Sequence, residues 1–464
     1  MKKDKKTGNG LARKIGLFSV TNIVIANMIG AGIFITSGLL MQDLKNPVIM
    51  LVLWIGGGII ALCGAFCYGE LGAVFPFAGG EYTFLARLFH PSLGFLSGWV
   101  SFFVGFSAPI AASSIGFTEY FTRAIPQLLN WGASIGITDA IVLKKLIAIL
   151  VILIFTMIHS RGIEFGSRIQ NYLTLLKVGL IVFLISFGFS FGKGSWDHFL
   201  QGNAFSFGFD GWKTIGLSLM WIMFAYSGWN ASAYIGSEIK NPTRNLPRSL
   251  ILGTSIVMLL YFGLNLFYVY GISPENMKGV ISVGGLAVGN LFGKSFENLL
   301  SLFISFALFS SLSAFIILGP RVYYSMSKDQ LFFRFVSKVH PVFKVPSKSI
   351  LLQGILATIF VLLGTFDQIL TYMGFSLGIF PIIAVIGVFK LRKSKKTTYR
   401  MPGFPFAPAI YLVASISILS LAFFERPIES SIAILTVFAG IPVYFMFKNR
   451  SEKQVIETKD TIIR

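Results

Sequence analysis

Hydrophobic residues in this chain are gathered into long runs, with polar residues concentrated in the segments between them. A helix of about 20 apolar residues crosses the hydrocarbon core of a bilayer, and runs of that length recur along the whole chain. We place twelve of them near residues 16–40, 48–75, 92–119, 144–159, 166–191, 213–237, 249–271, 295–325, 349–364, 367–389, 405–424 and 430–447. The pattern predicts an all-α polytopic membrane protein with twelve transmembrane helices.

Charge adds an orientation to this prediction. Charged residues make up only 12% of the chain, and the net charge is +20. With the N-terminus assigned to the cytoplasm, lysine and arginine favour the inner loops by about three to one, as the positive-inside rule requires. The basic segments 1–6 and 390–396 are therefore interpreted as topology signals, with contacts to anionic lipid as the alternative. We expect a cell (inner) membrane protein with both termini cytoplasmic, and no nucleic-acid partner.

Histidine and cysteine are too scattered to indicate a metal centre or a catalytic site. Cys63 and Cys67 lie one helical turn apart in the second run, where small apolar side chains are common. The four histidines fall in predicted loops or helix ends, at His90, His159, His198 and His340. A membrane-embedded enzyme would need these groups to converge. We therefore expect no metal, no cofactor and no enzymatic activity.

The first run is interrupted by the stretch NMIGAGIF, residues 27–34. Inside a membrane, backbone polar groups must be satisfied internally, and non-helical backbone persists only around a cavity. Gly30 and Gly32 allow positive φ or a close approach of the backbone to a ligand. The N–H groups that start the next half-helix would attract an anion such as a carboxylate. The alternative is a small-residue face on which a neighbouring helix packs.

The sixth run is interrupted in a similar way, with glycine and polar groups together in Tyr226–Asn230. Each interruption opens a block of five runs. Because five is odd, the second block would enter the membrane inverted, as in inverted-repeat transporters. We predict a single transporter domain, 1–464, with one repeat at about 11–191, a second at about 213–390, and two further helices at about 405–447.

Lys177 lies deep in the fifth run. It is nine residues beyond Arg168, roughly 14 Å into the bilayer. A charged lysine there costs about 2.5–3.5 kcal/mol, and no acidic residue is predicted at the same depth. Backbone carbonyls and the hydroxyls of Ser310, Ser311 and Ser313 are the expected partners. Lys177 could simply tie helices together, act as a fixed cation where another transporter binds Na⁺, or respond to protons.

Five segments resemble, in order, the motifs of amino acid–polyamine–organocation permeases, and within them the L-type branch. That branch includes the light chains of heteromeric amino-acid transporters and their bacterial relatives. The segments are IGAGIF (29–34), CGAFCYGELGAVFPFAGGEYTFLARLFHP (63–91), FAYSGWN (224–230), EIKNPTRNLPRS (238–249) and GPRVYYSMSKDQLFF (319–333).

The resemblance implies the LeuT-type fold, in which ten helices form two inverted repeats with helices 1 and 6 broken, followed by two more helices. It also implies transport of amino acids by alternating access. The carboxylate of the substrate would meet the N–H groups of Ala31 and Gly32. Its ammonium group would meet the carbonyls of Met28, Phe224 and Ser227.

The resemblance implies further roles at the same place. Phe224 would be an aromatic lid and gate, and Asn230 would brace the unwound segment. Gly30 and Ala225 would complete the substrate-binding set. Lys177 would match a lysine of helix five that links the first and eighth helices in the sodium-independent branch.

Two departures from the family pattern bear on substrate and partner. Ser227 stands where transporters of large neutral amino acids tend to have glycine, which favours small substrates such as alanine, serine, cysteine or glycine. The loop near 119–143 lacks the cysteine that joins a light chain to its heavy chain, so we expect no disulfide-linked heavy chain. Exchange is the first expectation for the transport mode. Proton-coupled symport and exchange of larger neutral or cationic amino acids are the alternatives, then sodium symport, with a channel disfavoured.

Overall fold

The computed structural model describes residues 11, 13–134, 136–280, 282–363, 366–394 and 399–463. The basic segment 1–6 and residues 395–396 of the segment 390–396 lie outside the described residues. The α-helices of the described chain are α1 (Leu17–Met28), α2 (Ala31–Leu44), α3 (Pro47–Val74), α4 (Glu81–Leu88), α5 (Pro91–Val100), α6 (Ser107–Ala124), α7 (Gln127–Ser134), α8 (Ala140–Ser160), α9 (Ile163–Phe191), α10 (Phe209–Ala225), α11 (Ala231–Tyr234), α12 (Pro242–Gly271), α13 (Pro274–Met277), α14 (Val283–Phe292), α15 (Lys294–Lys328), α16 (Ser347–Leu363), α17 (Phe366–Lys393), α18 (Phe406–Glu425) and α19 (Pro427–Ile463).

Ten of the twelve predicted runs form helical segments long and apolar enough to cross a membrane, counted over the described residues. The sixth and ninth runs form α10 and α16, which have 17 residues each. Both are shorter than the roughly 20 residues that span the hydrocarbon core. Helix α10 is short because the chain leaves the helical path after Ala225. The crossing of the membrane by these two helices therefore stays a prediction.

Apolar side chains face outwards over much of the molecule. Large hydrophobic residues are exposed on the outer helices α8, α9, α18 and α19, for example Leu150, Val413 and Leu435. Polar groups such as Asn265 and Gln353 are buried inside. An apolar surface of this extent is not covered by water in a folded protein, so it indicates a lipid environment.

Both predicted interruptions coincide with helix ends. Helix α1 stops at Met28 and α2 starts at Ala31, while α10 stops at Ala225 and α11 starts at Ala231. Gly30 in the first interruption does not use the positive φ that glycine allows, since its backbone is extended with φ −114°. A positive φ occurs instead at Gly228 in the second interruption, with φ +99°.

The two interruptions lie in the interior. Helix α1 packs against α9, α12 and α15, and α10 packs against α2, α3 and α18. The N-terminal turn of α2 and the C-terminal turn of α10 meet at a backbone contact. A Cβ atom added to Gly32 would lie 2.8 Å from Cα of Ala225. This approach brings the start of α2 and the end of α10 to one place.

Candidate functional site

A cavity of about 20 Å³ lies where the interrupted helices meet. Seven of the eight residues predicted to bind substrate line it, namely Met28, Gly30, Ala31, Gly32, Phe224, Ala225 and Ser227. The eighth, Asn230, does not. The residues are brought together because the two chain breaks, about 200 positions apart in sequence, face each other across the Gly32–Ala225 contact.

The α2 side of this cavity favours an anion. The first N–H groups of a helix have no partner within the helix, and Gly30 at the N-cap has no side chain with which to cap them. The helix dipole adds a partial positive charge at the same point. The N–H groups of Ala31 and Gly32 belong to this first turn, so this end of the cavity suits a carboxylate.

The carbonyl side of the cavity is partly occupied by hydrogen bonds of the protein itself. The Met28 carbonyl accepts from the Gly30 N–H at 2.8 Å and from the Tyr261 hydroxyl at 2.6 Å. These two bonds use both lone pairs of that oxygen. The Tyr261 hydroxyl also lies 2.9 Å from the Ala225 carbonyl. The Met28 carbonyl is thus already bonded within the protein, and its role as an acceptor for the substrate ammonium group stays a prediction.

The Phe224 carbonyl is also engaged within the protein. It accepts from the Ser227 N–H at 2.8 Å and from the Tyr226 N–H at the end of α10. Because α10 ends here, the negative end of its dipole also points at the cavity. An ammonium group is favoured at this end, opposite the carboxylate position.

Lys177 reaches the first interruption from α9. The side chain is fully buried, and Nζ donates to the Ile29 carbonyl and to Ser311 Oγ, the latter at 2.8 Å. A longer contact of 3.4 Å joins it to the Ala26 carbonyl. Ser311 in turn donates to the Ile29 carbonyl at 2.6 Å. Lys177 thus links α9 to the end of α1 through backbone carbonyls and to α15 through the Ser311 hydroxyl.

Only one of the three predicted serines contacts Lys177. The Ser310 carbonyl accepts from Gln170 Nε2 at 2.9 Å, and Ser313 Oγ lies 2.8 Å from His159 Nε2. Successive residues of a helix project about 100° apart, so side chains at 310, 311 and 313 point in different directions. Only position 311 faces the break in α1.

A larger cavity of about 100 Å³ adjoins the first. The two cavities share Asn27, Phe224, Ser227 and Phe315. The larger cavity then extends between α5, α17 and α18 as far as Glu81 and Tyr411. Phe224 lines both cavities, which is the position that a lid between them would require.

Asn230 lines only the larger cavity. Its Nδ2 donates to Glu81 Oε1 at 2.8 Å, and the Tyr234 hydroxyl donates to the same oxygen at 3.2 Å. Glu81 opens α4, outside the membrane-spanning segments, and is only 6% exposed. Burial raises the pKa of Glu81 to about 7, although these hydrogen bonds act in the opposite direction. Asn230 therefore joins the second interruption to α4.

Sequence reasoning missed two residues of this site, Glu81 and Tyr261. Glu81 carried a signal, because an acidic residue directly after two glycines marks a helix start near a tight turn. Tyr261 carried none, since a tyrosine in an apolar run looks like any other packing residue. A separate buried polar contact is the ion pair between Arg321 and Glu238, in which 2.9 Å separates Nε from Oε1.

The chain is similar over nearly its whole length to a known protein family and to several known proteins. The family model described as "Amino acid permease" matches residues 15–447. The chain is 30% identical to the serine/threonine exchanger SteT of Bacillus subtilis (strain 168), covering 95% of this chain and 98% of that protein. It is 26% identical to the b(0,+)-type amino acid transporter 1 of Mus musculus, covering 94% and 88%. It is 24% identical to the Asc-type amino acid transporter 1 of Mus musculus, covering 94% and 81%.

Proposed function

Because the chain belongs to the amino acid permease family, we propose that it is a secondary transporter that exchanges small neutral L-amino acids by alternating access, without Na⁺. One observation carries the proposal. The N-terminus of α2 and the C-terminus of α10 face each other across one small cavity. Positive and negative helix ends so placed match the carboxylate and ammonium groups of an amino acid.

The substrate class rests on Ser227. Its position lines the cavity beside Phe224, so a hydroxymethyl group there occupies space that glycine would leave open. The relative named as a serine/threonine exchanger supports exchange as the transport mode and a small substrate. Alanine, serine, cysteine and glycine are the proposed substrates.

The proposed architecture follows from the same arrangement. Helices α3 and α12, and likewise α6 and α15, are the most extensively packed pairs, and in each pair the members lie five predicted spans apart. Pairing of equivalent elements supports two inverted repeats, at about 11–191 and 213–390, with two additional helices at about 405–447. We place the protein in the cell membrane with cytoplasmic termini and without a disulfide-linked heavy chain.

Uptake of radiolabelled L-serine into proteoliposomes tests the proposal. Vesicles would contain either unlabelled L-serine or no amino acid, in the absence of Na⁺ and pH gradients. We expect uptake into loaded vesicles only. Uptake into empty vesicles that rises with an inward proton gradient would replace exchange with proton symport. No uptake of serine, alanine, leucine or arginine in any condition would contradict the proposed function.

The Ser227→Gly variant tests the substrate class. Removing the hydroxymethyl group should let L-leucine compete with labelled L-serine at least about fivefold better, since a methylene-sized change is worth about 1–3 kcal/mol in a binding pocket. Ser206→Gly, in the exposed loop before α10, is the matched control. If L-leucine competes no better in Ser227→Gly than in the wild type, Ser227 does not limit the size of the substrate.

A further inference from the structure

The segment before α4 is docked on the chain that follows the second interruption. Ala78 and Ile235 form an antiparallel bridge, and the Gly79 N–H donates to the Tyr234 carbonyl at 3.0 Å. Ser325 of α15 donates to the Ala78 carbonyl at 2.7 Å. A Cβ atom on Gly236 would lie 2.8 Å from the Phe77 carbonyl oxygen. We call residues 76–88 the α4 segment, and its docking places Glu81 in the wall of the larger cavity.

Glu81 lies where this docking meets the cavity. Among the described residues, the titratable groups that face it are three tyrosines: Tyr68 from α3, Tyr234 from α11 and Tyr411 from α18. Ser97 of α5 and Asn230 supply neutral polar groups. The ion pairs found among the described residues do not include Glu81. A buried carboxylate without a cation is costly unless it takes up a proton.

The hydrogen bonds that join Glu81 to the second interruption leave room for that proton, and the hydroxyls of Tyr68 and Ser97, which also reach the carboxyl group, can accept from it as well as donate. The bonds from Asn230 and Tyr234 both end on Oε1. Protonation of Oε2 breaks neither of them. The protonated carboxyl group therefore keeps the contact between the α4 segment and the second interruption while losing its buried charge.

We propose that Glu81 is a proton-binding positioning residue: in its protonated form it holds the α4 segment closed on Asn230 and Tyr234, and in its ionised form it favours release of that segment to water. This inference rests on the proposed function, because closure of this side of the cavity is one of the two states that alternating access requires. The bound proton comes from water and returns to it, so no other reactant is needed.

The direction of the pH effect follows from linkage. The pKa of Glu81 is about 7 when the side chain is buried, against an ordinary value of 4.5. The closed arrangement therefore binds more protons between these two values, and it gains stability as pH falls through 7 towards 4.5. At about pH 5.5 the closed arrangement is favoured about 30-fold more than at about pH 8.

Exchange measured with the same pH on both sides of the membrane tests this. In the wild type, the rate of L-serine exchange should fall at least about fivefold between about pH 8 and about pH 5.5, because opening limits turnover in acid. Glu81→Gln keeps both hydrogen bonds at Oε1 and should show no such fall. Glu119→Gln, at an exposed ion pair with Lys144, is the matched control and should follow the wild type. The inference would be overturned if the exchange rate of Glu81→Gln fell in acid as much as that of the wild type. It would also be overturned if wild-type exchange were faster in acid.

A second measurement does not depend on transport. Difference infrared spectroscopy of the purified protein should show a protonated-carboxyl band that titrates near pH 7 in the wild type and in Glu119→Gln, but not in Glu81→Gln. Glu81→Asp retains a titrating carboxyl and should keep a band if Glu81→Gln proves unstable. Equal bands in Glu81→Gln and the wild type would refute proton binding at Glu81. Absence of exchange by the wild type would instead refute the proposed function.

Discussion

Three side chains from three different helices hold the break of α1 in shape. Lys177 of α9 and Ser311 of α15 both bond to the Ile29 carbonyl, and Tyr261 of α12 bonds to the Met28 carbonyl. Carbonyls released by the end of a helix must find donors inside a membrane protein. The same side chains that satisfy these carbonyls therefore also determine where the α2 N-terminus lies.

Replacing Lys177 distinguishes a structural role, in which the lysine holds helices together, from a role in transport. Lys177→Met keeps the length of the side chain and removes the charge. Because the Ile29 carbonyl keeps its bond from Ser311, Lys177→Met removes one donor without leaving that oxygen unpaired. We expect thermal unfolding in detergent to change little, while L-serine exchange falls at least about tenfold, because the charged bond from α9 to the break is lost.

Lys145→Met is the control for this substitution, since Lys145 donates to the Leu362 carbonyl far from the breaks. Wild-type exchange in Lys177→Met would show that the lysine is dispensable for transport. A large loss of stability together with exchange would show that it mainly fastens α9 to α1 and α15.

Tyr261 makes a second residue-scale prediction. Its hydroxyl lies within hydrogen-bonding distance of carbonyls from both interruptions, whereas the nearby Tyr226 hydroxyl donates to the Trp54 carbonyl at 3.1 Å, in α3. Tyr261→Phe and Tyr226→Phe should each lower the free energy of unfolding by about 1–3 kcal/mol. Only Tyr261→Phe should also slow L-serine exchange, by at least about fivefold. Equal exchange in the two variants would argue against a bridging role.

At the scale of elements, the two interruptions use glycine for different physical reasons. Gly228 takes a positive φ of +99°, and a Cβ atom there would lie 2.3 Å from Asn27 Nδ2. Gly32 is helical and is required by the close approach of α2 to α10. Gly30 needs neither, since its backbone is extended and its nearest neighbour would be 3.8 Å from an added Cβ.

These differences predict unequal effects from identical substitutions. Gly32→Ala should lower the free energy of unfolding by about 1–3 kcal/mol, the usual cost of overpacking. Gly30→Ala, two residues away, should leave it nearly unchanged. Gly179→Ala, where an added Cβ would meet nothing within 4 Å, is the control in another membrane helix. Thermal unfolding measures all three, and equal losses at positions 30 and 32 would contradict the close-approach argument.

The same elements show how far sequence reasoning reached. The breaks were predictable because glycine and polar residues in the middle of an apolar run conflict with a continuous membrane helix. The choice of Ser311 over Ser310 and Ser313 was not, because it depends on how α15 is rotated against α1. The burial of Glu81 was not predictable either, since it arises only when the α4 segment docks on residues 234–236.

At the scale of the whole molecule, the question is whether the short helix α10 crosses the membrane, and the charge of the loops predicts the answer. Helix α10 has 17 residues, yet it lies between the loop that contains Lys193 and the loop that contains Lys338, together with α12 and α15. If all three helices cross the membrane, these loops are on opposite sides. If α10 does not cross, they are on the same side. The positive-inside rule assigns the loop of Lys338 to the cytoplasm and the loop of Lys193 to the exterior.

Cysteine labelling of intact cells distinguishes these arrangements. Both lysines are exposed, and the native Cys63 and Cys67 are buried in α3, which keeps the background low. A membrane-impermeant maleimide should label Lys193→Cys in intact cells and Lys338→Cys only after permeabilisation. Labelling of both in intact cells would mean that α10 turns back without crossing, and the inverted repeat would lose its second half. If Lys338→Cys is labelled in intact cells and Lys193→Cys only after permeabilisation, all three helices still cross the membrane. The predicted orientation would then be wrong, and so would the argument from loop charge.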